Sequence, residues 1–159
     1  MNMQKQKNNN NKKTIAIISS CGGHLTEILR FRKLYFNFNY FFVINDTIKL
    51  PKFMKNKTLF ITHSERDLLF FKNLYEAFVI IKRKKPDILI SAGAGLIVPF
   101  SIISKFFNNI KIIYIETMAS YEKPSLTGRL MKYLANDFFY QWKHLKKYFP
   151  KGKYIGNTL

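Results

Sequence analysis

Gly22, Gly23 and His24 form the centre of the stretch Ser19-Ser20-Cys21-Gly22-Gly23-His24-Leu25-Thr26-Glu27. Two adjacent glycines let a chain turn sharply and leave no side chain between the backbone and a ligand. A histidine beside them can exchange a proton near neutral pH. The stretch follows the β-forming run Thr14-Ile15-Ala16-Ile17-Ile18. It precedes a segment in which Leu25, Ile28, Leu29 and Tyr35 recur with helical spacing. A helix beginning after the glycines presents free N–H groups and a partial positive charge, which suits a phosphate or a sugar hydroxyl. A plainer role is also open: the glycines close a strand-to-helix turn and His24 caps the helix.

Three further polar features stand at comparable places. Thr62-His63-Ser64 follows one apolar run, Ser91-Ala92-Gly93-Ala94-Gly95 follows another, and Glu116 ends a third. In a parallel α/β sheet, ligands bind outside the carboxyl ends of the strands, and all four features fall there by chain direction. Their convergence on one rim makes His24, His63 and Glu116 candidate acid–base groups. Gly22, Gly23, Thr26, Ser91, Gly93 and Gly95 become candidate substrate contacts. His63 reads more simply as a polar loop residue, and Glu116 equally as a structural partner for a neighbouring loop. Neither glycine turn matches G-x-x-x-x-G-K-[ST], and Gly93-Ala94-Gly95-Leu96-Ile97-Val98 lacks the third glycine of the dinucleotide fingerprint. Asp46 ends a strand where a ribose-binding acid sits in that fold, but the fingerprint around it is incomplete. No His-x-x-x-His pair or carboxylate cluster supports a metal, so neither cofactor nor metal is expected.

The elements that must position these residues follow from periodicity. Strands are expected over about 14–19, 40–45, 58–61, 87–91, 111–116, 137–140 and 153–155. Helices are expected over about 25–36, 65–83, 96–107, 125–135 and 142–148, with a basic loop over 49–57. The helix over 65–83 is apolar almost all round, so it is buried or faces a membrane or a partner. Leu68, Phe71, Tyr75 and Phe78 line one of its sides; Lys82-Arg83-Lys84-Lys85 and Pro86 end it. Alternating strands and helices imply parallel strands with right-handed crossovers, hence a Rossmann-like, doubly wound α/β sheet in one domain from Thr14 to Leu159. Residues 1–13 read as a disordered basic tail.

Lys and Arg number 27 against 9 Asp and Glu in 159 residues, for a net charge of +18. Such an excess points to an anionic partner: nucleic acid, anionic lipid or a phosphorylated substrate. Cys21 is the only cysteine, which leaves no disulfide framework and favours a reducing compartment. The uncharged run from Ile88 to Ser104 is shorter than the ~20 residues a spanning helix needs and is broken by Gly93, Gly95 and Pro99. No signal peptide and no transmembrane span are expected.

Taken in order, Gly22-Gly23-His24-Leu25-Thr26-Glu27, Ser91-Ala92-Gly93-Ala94-Gly95, Tyr114-Ile115-Glu116, Ser125-Leu126-Thr127-Gly128, Gln141-Trp142 and Tyr154-Ile155-Gly156 form a set. That set resembles the acceptor-side subunit of split GT-B glycosyltransferases: the bacterial PssD-type exopolysaccharide and capsule proteins, and the anchoring subunit of the eukaryotic two-part transferase that adds the second GlcNAc to a dolichol-linked sugar. The first glycine turn is similar to that of MurG. The resemblance implies the N-terminal-type, acceptor-binding half of a GT-B enzyme. It implies inverting transfer from a UDP-sugar to an undecaprenyl-diphosphate-linked glycan, peripherally at the cytoplasmic face of a bacterial plasma membrane. A separate PssE-like polypeptide would bind the donor, docking near Tyr154, Ile155 and Leu159. Within that scheme His24 is the expected base, with Glu116 as orienter or alternative base.

Two other classes account for parts of the sequence. A basic nucleic-acid-binding domain explains the charge, but no helix-turn-helix, RNP or zinc signature accompanies it, so no nucleic-acid partner is expected. A non-catalytic membrane adaptor that recruits a donor-binding subunit would tolerate loss of both His24 and Glu116.

Overall fold

The computed structural model describes residues 12–45, 50–62, 69–107 and 109–157. Seven parallel strands form one sheet in the order β3-β2-β1-β4-β5-β6-β7. They are β1 (Thr14–Ser19), β2 (Asn39–Ile44), β3 (Thr58–Phe60), β4 (Ile88–Ala92), β5 (Lys111–Ile115), β6 (Asp137–Tyr140) and β7 (Lys153–Tyr154). The order reverses between β1 and β4, so a crevice opens at their carboxyl ends. The helices are α1 (Gly23–Arg30), α2 (Arg32–Tyr35), α3 (Leu69–Lys84), α4 (Ile97–Ser104) and α5 (Leu126–Leu134).

Strand alternation divides the core into two layers. Ala16, Ile18, Phe41, Val43, Leu89, Ile112 and Tyr114 face α3, α4 and α5. Ile15, Ile17, Phe42 and Ile44 face the opposite way, against Leu25, Ile28, Tyr35 and Met54. The second layer covers β1 and β2 and the carboxyl ends of β4 and β5, at Ala92 and Ile115, but leaves the rest of the strands beyond them partly open. On β4, β5 and β6 the residues Leu89, Ile112 and Phe138 are buried, whereas their neighbours Ile90, Ile113 and Phe139 stay half-buried. A parallel sheet is ordinarily covered on both faces, so this bare strip is a distinctive feature.

The strand and helix order matches the expected one, with four local differences. The helix expected over 25–36 begins at Gly23 and breaks at Phe31, whose backbone N–H bonds the Ile28 carbonyl at 3.1 Å, before α2 resumes. His24 therefore lies inside the first helical turn rather than before it. The basic loop over 49–57 contains a 3-10 helix, Lys52–Lys57, and the helix expected over 142–148 is likewise 3-10, Lys143–Lys147. Lys13 is not part of a free tail, since its carbonyl accepts from the Asn39 N–H at 3.2 Å. The helix α3 buries Asn73, Ala77 and Ile81, while Phe71, Tyr75 and Phe78 lie on its exposed side. Asp46, His63, Ser64, Leu68, Leu159 and residues 1–11 lie outside the described residues.

Candidate functional site

The carboxyl rim brings α1, the β4 turn and the segment after β5 against one another. Gly93 has φ +77°, and a Cβ there would fall 2.5 Å from Thr117 Cβ and 2.6 Å from His24 Nδ1. The His24 ring and Thr117 thus occupy the space that any other residue at 93 would need. The Gly93 N–H donates to the Ile115 carbonyl at 2.9 Å, which ties the turn to β5. His24 Nδ1 is buried without a hydrogen-bond partner among the described residues. The ring borders a groove of about 400 Å³, lined also by Gly23, Thr26, Glu27, Arg30, Thr117 and Met118.

Glu27 organises the wall of this groove. It lies one turn beyond His24 on α1 and is 6% exposed. Its Oε2 accepts from the Thr117 hydroxyl at 3.0 Å, and its Oε1 accepts from the Met118 N–H at 3.0 Å and from the Gln141 amide. The same Gln141 amide donates to the Glu116 carbonyl at 3.0 Å. One carboxylate therefore joins α1 to the segments after β5 and β6, passing over the end of β4. Trp142 Nε1 completes the brace by donating to the Met118 carbonyl at 2.8 Å.

Glu116 is placed differently from His24. It is fully buried and does not line the groove. Its Oε1 accepts from the Thr117 N–H at 3.2 Å. Its Oε2 is turned to Gly128, where an added Cβ would fall 1.5 Å away, so only glycine leaves room for the carboxyl. Burial pushes the carboxyl above its ordinary range, opposed by the Ser125 and Ser120 hydroxyls and the Thr117 amide. Ser125 caps α5 by accepting from the Gly128 N–H at 2.8 Å. The neighbouring Tyr114 hydroxyl is buried as well, and desolvation, reinforced by Glu116, raises it far above the usual phenol value.

The remaining expected contacts separate into groups. Gly22 and Gly23 are exposed at the start of α1, and the Thr26 hydroxyl bonds the Gly22 carbonyl at 3.3 Å. Ser91 is buried, with no partner for its hydroxyl among the described residues. Gly95 lines a different groove of about 170 Å³ with Phe70, Leu126, Thr127 and Leu130. Thr62 is held by α3: its hydroxyl donates to Glu76 at 2.8 Å, and its carbonyl accepts from Asn73 at 2.9 Å. Tyr154 and Ile155 are 50% and 39% exposed. Ile155 edges an apolar groove of about 510 Å³ over the bare strip of the sheet, with Ile90, Ile113, Phe139, Phe31 and Leu34.

Sequence reasoning about the site missed Glu27, Thr117, Gln141 and Gly128. Glu27 carried a readable signal, because positions 24, 27, 28 and 31 share one helical face and Ile28 is a core residue. An acid on that face requires donors from elsewhere. Thr117 carried no comparable signal, and Gln141 stood in the ordered motif set only as a neighbour of Trp142, because the acid that both bond lies on a distant segment.

A doubly wound parallel sheet with a crevice at its reversal point defines a broad class of α/β domain, and the family is narrower than that class. Residues 68–158 match the family described as "Oligosaccharide biosynthesis protein Alg14 like", and the chain belongs to that family. It is 29% identical over 94 residues to the mouse UDP-N-acetylglucosamine transferase subunit ALG14, covering 56% of this chain and 43% of that protein. It is 25% identical over 123 residues to the Saccharomyces cerevisiae protein of the same name, covering 69% and 52%. The chain thus spans about half the length of these relatives. Among solved structures, Acinetobacter baumannii MurG superposes with a TM-score of 0.68 at 14% identity, over 91% of this chain and 44% of that one. The UDP-GlcNAc 2-epimerase of Methanocaldococcus jannaschii superposes with a TM-score of 0.66 at 13% identity, over 90% and 45%. At 14% and 13% identity these likenesses establish the GT-B-type fold and not the reaction.

Proposed function

We propose that this chain is the acceptor-binding subunit of a two-component glycosyltransferase that moves a sugar, N-acetylglucosamine or a related hexose, from a UDP-sugar to a lipid-diphosphate-linked glycan. The observation that carries the reading is the groove built around His24, Gly93 and Thr117 at the strand reversal, in a chain of the Alg14-like family. The relatives' names as transferase subunits support a separate donor-binding partner. The acceptor proposed is an undecaprenyl-diphosphate-linked glycan in bacterial capsule or exopolysaccharide synthesis, with a PssE-like partner. That setting rests on the ordered motifs and not on the curated relatives.

In the reaction, the acceptor hydroxyl attacks the anomeric carbon. The new C–O bond forms as the bond to UDP breaks, and configuration inverts. A base must take the hydroxyl proton during attack. With His24 Nδ1 sealed against Gly93, Nε2 is the nitrogen available to a substrate. The N–H groups at the start of α1 and the Arg30 side chain at the groove can meet the acceptor diphosphate. The donor is held mainly by the partner, and no cofactor takes part.

The test is transfer of labelled sugar from UDP-GlcNAc to a polyprenyl-diphosphate acceptor by this chain with its donor-side partner. His24→Ala should lower transfer by about a hundredfold or more, the usual worth of general-base catalysis, with unchanged melting temperature. Activity within about tenfold of wild type would exclude His24 as base. Tolerance of both His24→Ala and Glu116→Ala would favour the adaptor.

A further inference from the structure

We infer that Glu27 is a positioning residue: its carboxylate clamps the rim segments around Gly93 and thereby sets the place of the His24 imidazole. The inference rests on the transferase reading for its kinetic consequence but not for its geometry. Three donors from two separate segments, the Thr117 hydroxyl, the Met118 N–H and the Gln141 amide, converge on this one side chain. Two of the three hold the piece of chain that closes over Gly93 together with the His24 ring. Thr117 Cβ and His24 Nδ1 both lie against Gly93, within 2.5 and 2.6 Å of where a Cβ would stand. Among the described residues His24 has no hydrogen bond at Nδ1 to orient it, so its packing against Gly93 is what holds it. The packing surface, Gly93 with Thr117, is kept in place by the acid one turn along the same helix. Removing that acid strands three donors in a buried place, which the chain relieves by letting the segment after β5 move outward.

The amide of glutamine separates the hydrogen-bonding role from the charge. Its oxygen can accept from Met118 and Gln141, while its NH2 faces the Thr117 oxygen, which can turn its own proton away and accept. Glu27→Gln therefore keeps the clamp, and Glu27→Ala opens it. A displacement of the base by about 1 Å can cost on the order of a hundredfold in rate.

Two measurements on the full chain test this. The first is the imidazole C–H signals of the three histidines, His24, His63 and His144, in the isolated protein, assigned by substitution. Glu27→Ala should shift or broaden the His24 signals, and Glu27→Gln should leave them near wild type. If Glu27→Ala does not fold, Thr117→Val serves instead: it keeps the shape against Gly93, breaks one arm of the clamp, and should shift the same signals. Unchanged His24 signals in the folded variant overturn the inference. The second measurement is transfer kinetics of the complex with its partner. Glu27→Ala should lower kcat by about ten- to a hundredfold with the donor KM within about threefold, and Glu27→Gln should recover kcat to within about fivefold of wild type. A merely structural acid would lower the melting temperature but leave kcat per folded molecule unchanged, which also overturns the inference. A wild-type complex that transfers no sugar overturns the transferase reading, while the histidine signals still decide the clamp.

Discussion

A carboxyl with no exposed surface, such as that of Glu116, pays for desolvation whenever it ionises. Its folded value is raised above the ordinary 4.5, so the folded chain keeps the proton over the window between the two values. The stability this proton contributes is present below about pH 4.5 and is lost as pH rises through the folded value. Glu116→Gln carries no such proton. Its melting temperature relative to wild type should therefore improve steadily from pH 4.5 upward until the wild-type carboxyl is fully ionised. Thermal unfolding of both proteins between pH 4 and 8 measures this, and a constant difference would contradict it. The orientation of Glu116 toward Gly128 and the helix cap at Ser125 accounts for its burial as a joint between β5 and α5. His24, one residue type away in chemistry, is the side chain that meets the groove.

At the scale of an element, α3 carries the clearest anomaly. Phe71 and Tyr75 are each 68% exposed on a helix that ends in Lys82, Arg83 and Lys84. On α5, which borders a shared groove with α3, Leu126, Leu130 and Tyr133 are exposed as well. Apolar rings flanked by cations suit the surface of an anionic bilayer, where a lipid-linked acceptor would reside. Among the described residues no helix is long and apolar enough to cross a membrane; the association proposed is through this apolar and basic surface. Phe71→Asp with Tyr75→Asp should reduce sedimentation with vesicles containing anionic lipid by about tenfold or more, because two apolar insertions are lost and two repulsive charges added. Retained binding would place the membrane contact elsewhere. High salt should weaken wild-type binding in the same assay.

For the whole molecule, the bare strip over β4, β5 and β6 is the feature that a second body would complete. Its groove is apolar along its length, with Ile155 at one edge. We expect the donor-binding partner to cover it. Burying one such isoleucine is worth about 1.5–3 kcal/mol, so an acid there is costly. Ile113→Asp with Ile155→Asp should abolish copurification with the partner while the monomer still melts cooperatively. An intact complex from that variant would move the interface off this face. The isolated wild-type chain should consume no UDP-sugar, and robust turnover by it would refute the two-component scheme.

Local pattern was sufficient for the architecture. Apolar runs of strand length alternating with helical spacing determined seven strands, their parallel sense and the rim that carries Gly23, His24 and Gly93. These follow from propensity and chain direction, which act over a few residues. That Thr117 closes on His24 and Gly93 there was not legible. The break at Phe31 escaped, because the helical spacing of apolar residues continues through it. What the tertiary structure alone decided is how distant groups satisfy one another. Glu27 finds its donors 90 to 114 positions away, Glu116 is accommodated by the missing side chain of Gly128, and a strip of one sheet face around Ile90, Ile113 and Phe139 is left only partly covered. None of these has a period in the sequence, because each depends on which segments the sheet order places side by side.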